Sequence, residues 1–303
     1  MQIKIGASPL SWMNSDFPSL GSHISVDHCL SELSLIGYQG VELEDPFRKV
    51  MDRLPQLLLS RKLNLIGGWH ALRLLENPLG KELQELDEHL ELLQRLGADV
   101  AIIADCSFTV HRDRSCPLSK RPYLSESDWG KLCDHLEKVA ERVAQAGMFS
   151  AYHHHMGTVV QSGSDVDRLM QGTEKLGLLF DTGHFVYAGE DPHAVLDRHL
   201  SRVTHVHCKN VRPTVLAEQL QKDSSFIDAI LAGVFTVPGD QQDAATPLID
   251  FSYLIEKLLQ GNYRGWVVME AEQDPGKADP YTYAHLGYST IHSLLVHHLF
   301  HQV

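Results

Sequence analysis

Short apolar runs alternate with longer amphipathic segments along the whole chain. The runs fall at residues 3–7, 40–44, 63–68, 99–104, 148–154, 178–181, 203–208 and 266–270, each the length of a buried strand. Between them, apolar residues recur at helical spacing over 26–36, 54–62, 79–96, 128–146, 164–176, 211–237, 247–261 and 281–299, and Asp191-Pro192 opens a further helix. Gly37, Gly97 and Gly233 mark helix stops. Ser127 or Asp128, and Ser164, are the expected N-caps of the fourth and fifth helices. Eight strand-then-helix units predict a parallel sheet, and in a chain of 303 residues they fit one α/β domain, a closed (β/α)8 TIM barrel over 1–303. A doubly wound sheet is the runner-up, but no Gly-x-Gly-x-x-Gly follows a strand. The polar stretch 107–127 is long for a connection and reads as a loop insertion. A lid or subunit contact there is open, but Arg112, Arg114, Lys120 and Arg121 read first as solvated loop charge.

Composition narrows the function. A 43% hydrophobic and 21% charged chain can form a sizeable core. A net charge of −13 disfavours a general nucleic-acid or anionic-membrane surface. No apolar run approaches the roughly 20 residues a membrane span needs. The first residues run straight into a strand without a signal-peptide core, so a cytoplasmic protein is expected. Five cysteines with no Cys-x-x-Cys pair read as reduced thiols. Histidine, at 19 copies, is the outlier, and the useful question is which copies fall at strand ends.

The densest cluster is His153-His154-His155, inside the chain and followed by Met156-Gly157. Alternation along a strand puts His153 and His155 on one face. Barrel sites form at the C-terminal ends of the strands. The other strands end in Glu42 and Glu44, His70, Asp181, His205 and His207 before Lys209, and Glu270 before Glu272. Facing one mouth, these make a thiolate-free N/O cage suited to a hard or borderline divalent cation, with Mn²⁺, Co²⁺, Mg²⁺ and Zn²⁺ all compatible. Each residue also has a plainer use: Asp181 as a turn cap, His207 as a bonded core residue, Glu270 as the ion-pair partner of Lys209. Lys209 suits a base or an anion-steadying cation. His184 could touch substrate or donate to a ligand, and Glu272 could be a base.

Several segments together resemble the xylose-isomerase-like barrel superfamily, and within it the inosose dehydratase family of inositol catabolism. They are 7–12, 152–158, 165–170, Asp181-Thr182-Gly183-His184, 205–212, Phe235-Thr236-Val237-Pro238-Gly239-Asp240, and Glu270-Ala271-Glu272-Gln273-Asp274-Pro275. The resemblance implies a hydro-lyase that takes water from 2-keto-myo-inositol (scyllo-inosose) by α-proton abstraction and β-hydroxyl elimination, with Mn²⁺ or Co²⁺ as cofactor. It implies His153, Asp181, His207 and Glu270 as metal ligands, with His155 the alternative to His153. Most of the superfamily carries Glu where this chain has His153, which weakens a two-carboxylate epimerase. Glu272, Lys209, His155 and His184 are the candidates for proton transfer, and Glu44, His70, Asp240 and Trp12 for substrate contact. Residues 241–247 replace a short Gly-containing link of the family. The partner expected is a small cyclic polyol ketone, not nucleic acid or membrane. Such barrels are commonly dimers or tetramers; a homo-oligomer is compatible and its symmetry is open. The alternatives are a metal-dependent keto-sugar isomerase or epimerase and a non-catalytic polyol-binding barrel. The nuclease branch of the superfamily fits poorly, because no basic patch carries interleaved aromatics.

Overall fold

The structure is a computed structural model that describes residues 3–241 and 246–300. The eight predicted strands are present as β1 (Ile3–Ala7), β2 (Gly40–Leu43), β3 (Asn64–Leu72), β4 (Val100–Asp105), β5 (Phe149–His153), β6 (Leu178–Asp181), β7 (Val203–Cys208) and β10 (Gly265–Met269). All are parallel and close in the order β1, β2, β3, β4, β5, β6, β7, β10. Two short strands, β8 (Asn210–Val211) and β9 (Phe235–Thr236), pair antiparallel outside the barrel.

Helices α1 (Val26–Ile36), α2 (Leu54–Arg61), α3 (Leu79–Arg95), α4 (Glu126–Gln145), α5 (Gly163–Gly172), α7 (Pro192–His199), α10 (Phe251–Gln260) and α11 (Pro280–Phe300) follow the predicted segments. Two caps differ from expectation. Ser125, not Ser127 or Asp128, accepts from the Asp128 N–H, and Ser162, not Ser164, caps α5 in a reciprocal box with Asp165. In both, the cap stands three residues before an Asp whose carboxylate belongs to the first turn. The 211–237 segment divides into α8 (Pro213–Lys222) and α9 (Phe226–Ala232), with β8 and β9 flanking them. One helix escapes the sequence pattern: α6 (Thr182–Tyr187) is buried at all six positions, so it has no polar face to give it a period.

The barrel interior is layered. Ile66, Val100, Ile102, Ala151, Leu179, Trp266 and Val268 form one buried cluster, separate from the larger core between strands and helices. Gly6 and Gly40 make room for it: a Cβ on Gly6 would lie 2.2 Å from Ile66 Cδ1, and one on Gly40 2.7 Å from the Trp266 ring. Two residues further along the strands the same inward row turns ionisable: Ala151 gives way to His153, Leu179 to Asp181 and Val268 to Glu270. An apolar plug therefore supports a polar layer at the mouth. All five cysteines are free. No described helix is long and apolar enough to cross a membrane. In the unusual 241–247 link, residues 242–245 lie outside the described residues.

Candidate active site

The ends of β5, β6, β7 and β10 bring His153, Asp181, His207 and Glu270 together around one carboxylate oxygen. Asp181 Oδ2 is 3.7 Å from His153 Nε2 and 3.5 Å from His207 Nδ1, and His207 Nδ1 also touches Glu270 Oε2. Asp181 divides its oxygens: Oδ1 accepts from the His184 N–H and caps α6, and Oδ2 faces the cage. The turn-cap reading of this residue is realised in the structure. His153 Nδ1 donates to the His154 carbonyl, which leaves Nε2 free to face Asp181. His155 instead groups with His184 and Glu272.

Lys209 fills the space beside this cage. Its Nζ lies 2.7 Å from Glu270, 2.8 Å from Glu272, 3.3 Å from Asp181 and 3.0 Å from His184 Nε2. Burial works against its charge, but the carboxylates of Asp181, Glu270 and Glu272 outweigh that and raise its pKa above the ordinary lysine value. Lys209 is therefore an ammonium ion, a counter-cation and not a free base. Burial raises the Glu272 carboxyl to about 7, with Lys209 pulling it down and Glu270 pushing it up. Burial would also raise Asp181, yet Lys209 and the two imidazoles hold it well below the carboxylate range. Burial holds His153 and His184 well below, and His155 down to about 3, so all three are neutral at pH 7.

Four buried carboxylates, Glu42, Asp181, Glu270 and Glu272, share this region with one buried ammonium. Asp181 Oδ2 lies 3.3 Å from the Lys209 ammonium, and His207 Nδ1 lies against Glu270. The oxygen and nitrogen donors gathered here match a hard or borderline divalent metal. Three groups of donor atoms in the described residues lie within 4.8 Å: His153, Asp181, His184 and Glu270; Glu42, His205 and His207; and His155, His184 and Glu272. The Lys209 ammonium lies against members of both the first and the third group. In the second, the imidazole nitrogens are 2.7 and 2.9 Å from one Glu42 oxygen. That is hydrogen-bond spacing, since donors around a tetrahedral metal with 2.0–2.1 Å bonds sit about 3.3 Å apart. The first group is the one of the three with four donors.

A cavity open to solvent lies over the cage. His153, His155, His207, Glu270, Glu272 and Glu44 all line it. Burial raises Glu44 well above the carboxylate range, and its Oε2 accepts from Ser15 Oγ.

Other expected residues sit elsewhere. Lys209 and His184 do not line the cavity; they stand behind Glu270 and Glu272. Trp12 is in the core, with Nε1 donating 2.6 Å to Glu32. The His70 ring stacks on His89 at 5.0 Å, away from the cavity, because a register irregularity in β3 opposite Val41 to Leu43 shifts the alternation after Ile66 and turns Trp69 inward instead. Asp240 accepts from Arg212 at 2.8 Å and Thr236 at 2.6 Å, a brace in the loop after β9. Of the 107–127 charges, Arg112, Arg114 and Lys120 are exposed, as the solvated reading expects, although Arg112 also lines the cavity and donates 2.8 Å to Asp16 and Arg114 pairs with Asp228; Arg121 departs from it, its side chain largely covered and 3.0 Å from Asp165. Ser15, Asp16 and Trp69 were missed as lining residues. Trp69 had a signal, since it precedes His70 at a strand end; Ser15 and Asp16 lie in an irregular loop with no period to read.

Residues 30–286 match the model of the xylose isomerase-like TIM barrel family. The chain is 43% identical over 292 residues to the rhizopine catabolism protein MocC of Rhizobium meliloti, covering 96% of this chain and 88% of that one. It is 37% identical over 286 residues to an inosose dehydratase of Geobacillus thermodenitrificans, covering 93% and 94%. Among solved structures, the IOLI protein with a bound zinc atom superposes with a TM-score of 0.65 at 14% identity over 98% of each chain, which supports the fold alone.

Proposed function

The chain belongs to the xylose isomerase-like TIM barrel family and to the group of relatives that includes the inosose dehydratases, and from that premise we propose that it is a metal-dependent hydro-lyase acting on scyllo-inosose. The observation that carries the proposal is the convergence of two imidazoles and two carboxylates, His153, His207, Asp181 and Glu270, under a cavity walled by carboxylates and imidazoles. His153, Asp181, His207 and Glu270 would hold the metal, with Mn²⁺ or Co²⁺ the finer choice. A divalent cation there supplies Lewis acidity toward the ketone of a bound substrate and so acidifies the α C–H.

The chain's own residues supply the rest. Glu272 is the general base: it lines the cavity, is buried, and lies against Lys209. It accepts the α-proton, the C–H electron pair becomes the new carbon–carbon π bond, and the β-hydroxyl leaves with its bonding pair. The same carboxyl returns a proton to that oxygen, so water departs and Glu272 ends ionised, ready for the next cycle. Lys209 keeps the clustered carboxylates from repelling one another and aims Glu272. His155 and Glu44 are placed to bind hydroxyls of the ring, and Trp69 forms an aromatic wall.

The test is metal-stripped protein given back Mn²⁺ or Co²⁺ with scyllo-inosose, read by mass spectrometry. A product one water lighter supports the lyase. An unchanged mass with a new retention time means an isomerase or epimerase, and tight binding without turnover means a polyol-binding barrel. Glu272→Gln is expected to keep metal and substrate binding and to lose roughly 10²–10⁴-fold in kcat. The 43% identity to a rhizopine catabolism protein favours a second reading, in which the substrate is an intermediate of that catabolism. Running the assay with rhizopine-derived substrates beside scyllo-inosose separates the two.

A further inference from the structure

One buried carboxylate in the barrel belongs to neither the metal set nor the cavity chemistry described above. Glu42 extends from β2 across the interior to β7, which is not its neighbour in the sheet. A single oxygen, Oε1, accepts from His205 Nε2 at 2.7 Å and from His207 Nε2 at 2.9 Å. Glu42, His205 and His207 are all buried, at 3%, 0% and 2% exposure. One oxygen that accepts two N–H groups obliges both imidazoles to carry a proton on Nε2. That leaves Nδ1 as the His207 atom that faces Asp181 and Glu270. No backbone carbonyl performs this task for His207, in contrast to His153, whose Nδ1 proton is taken by the His154 carbonyl.

We propose that Glu42 is the positioning residue that fixes the tautomer and ring orientation of His207, with His205 as the second donor that pins the Glu42 carboxylate in place. The inference rests on the metal reading of the Asp181 cage. A carboxylate behind a ligating imidazole raises its basicity and holds its ring, and loss of such a partner typically weakens metal binding 10–100-fold. The two donors matter together: with one imidazole the carboxylate could swing about its side-chain torsions, whereas two rings 5.2 Å apart and inclined at 74° fix it from two directions.

The experiment is titration of Co²⁺ into metal-stripped protein, following the visible absorption band and the dissociation constant, on wild type and Glu42→Gln. The expected result is a Kd about 10–100-fold weaker in the variant with a shifted band, in a protein that still melts cooperatively. A variant Kd within twofold of wild type and an unchanged band would overturn the role of Glu42 alone. Wild-type protein that takes up no Co²⁺ would overturn the metal reading beneath it. Should Glu42→Gln fail to fold, nitrogen–proton correlation spectra of metal-free, histidine-labelled wild type carry the test. The assigned His207 ring is expected to hold a proton on Nε2, and an Nε2 without a proton would overturn the proposal.

Discussion

Lys209 shows why a residue type alone does not give a role. Within 3.3 Å its ammonium meets Asp181, Glu270, Glu272 and His184. Lys209→Met would leave three buried carboxylates without their cation. The expected loss is about 3–5 kcal/mol in denaturant stability together with loss of turnover. Unchanged turnover in a folded variant would remove Lys209 from the mechanism. His70 and His89 allow a second prediction at this scale. Burial holds both imidazoles down, at about 4, against an ordinary value near 6.5. A folded pKa below the unfolded one means that the neutral rings stabilise the fold above pH 6.5 and that this contribution is lost as pH falls toward 4. Each ring contributes up to about 3 kcal/mol on that scale. His70→Phe also removes a buried Nε2 that has no partner. Thermal melts from pH 7 to 4 are expected to fall less steeply in the variant than in wild type; parallel curves would contradict the assignment.

At the scale of elements, α6 and the strand ends set the precision of the site. Gly183, in the first turn of α6, lies so close to Lys209 that an added Cβ would be 2.4 Å from its Cγ. Gly183→Ala is expected to displace the lysine stem and lower kcat by about 100-fold while metal uptake persists, since displacements of about 1 Å cost that much in a catalytic array. Steady-state kinetics beside a Co²⁺ titration checks both halves. The strands were legible in the sequence because each is a short apolar run bounded by turn residues, and the inward row from Ala151 to His153, Leu179 to Asp181 and Val268 to Glu270 follows from alternation alone. Parity is also where the reading failed. Regular alternation from the inward Ile66 puts His70 at the mouth, whereas a register irregularity in β3 opposite Val41 to Leu43 turns Trp69 inward, since a slip of one residue exchanges the two faces. Trp12 and Asp240 were misplaced for another reason. Their partners, Glu32 and Arg212, lie 20 and 28 residues away, and no local pattern announces such pairs.

At the scale of the molecule, the fold concentrates negative charge where a dication would sit. A net charge of −13 is spread over the chain, but the four buried carboxylates at the mouth are a local cost that the apolar plug and Lys209 only partly offset. Metal binding should therefore stabilise the folded state, by about 2.7 kcal/mol at a metal concentration 100 times Kd. A chelator is expected to lower the melting temperature and added Mn²⁺ or Co²⁺ to restore it; a melting temperature indifferent to both would contradict the cage. Among the described residues a single group offers four donors, so one metal per chain is expected. The most direct test is the rate of water loss from scyllo-inosose as Mn²⁺ is titrated into metal-stripped protein. The account predicts a rate that starts near zero and saturates at one equivalent per chain. Full dehydration by the stripped protein, or no dehydration at any level of metal, would contradict it.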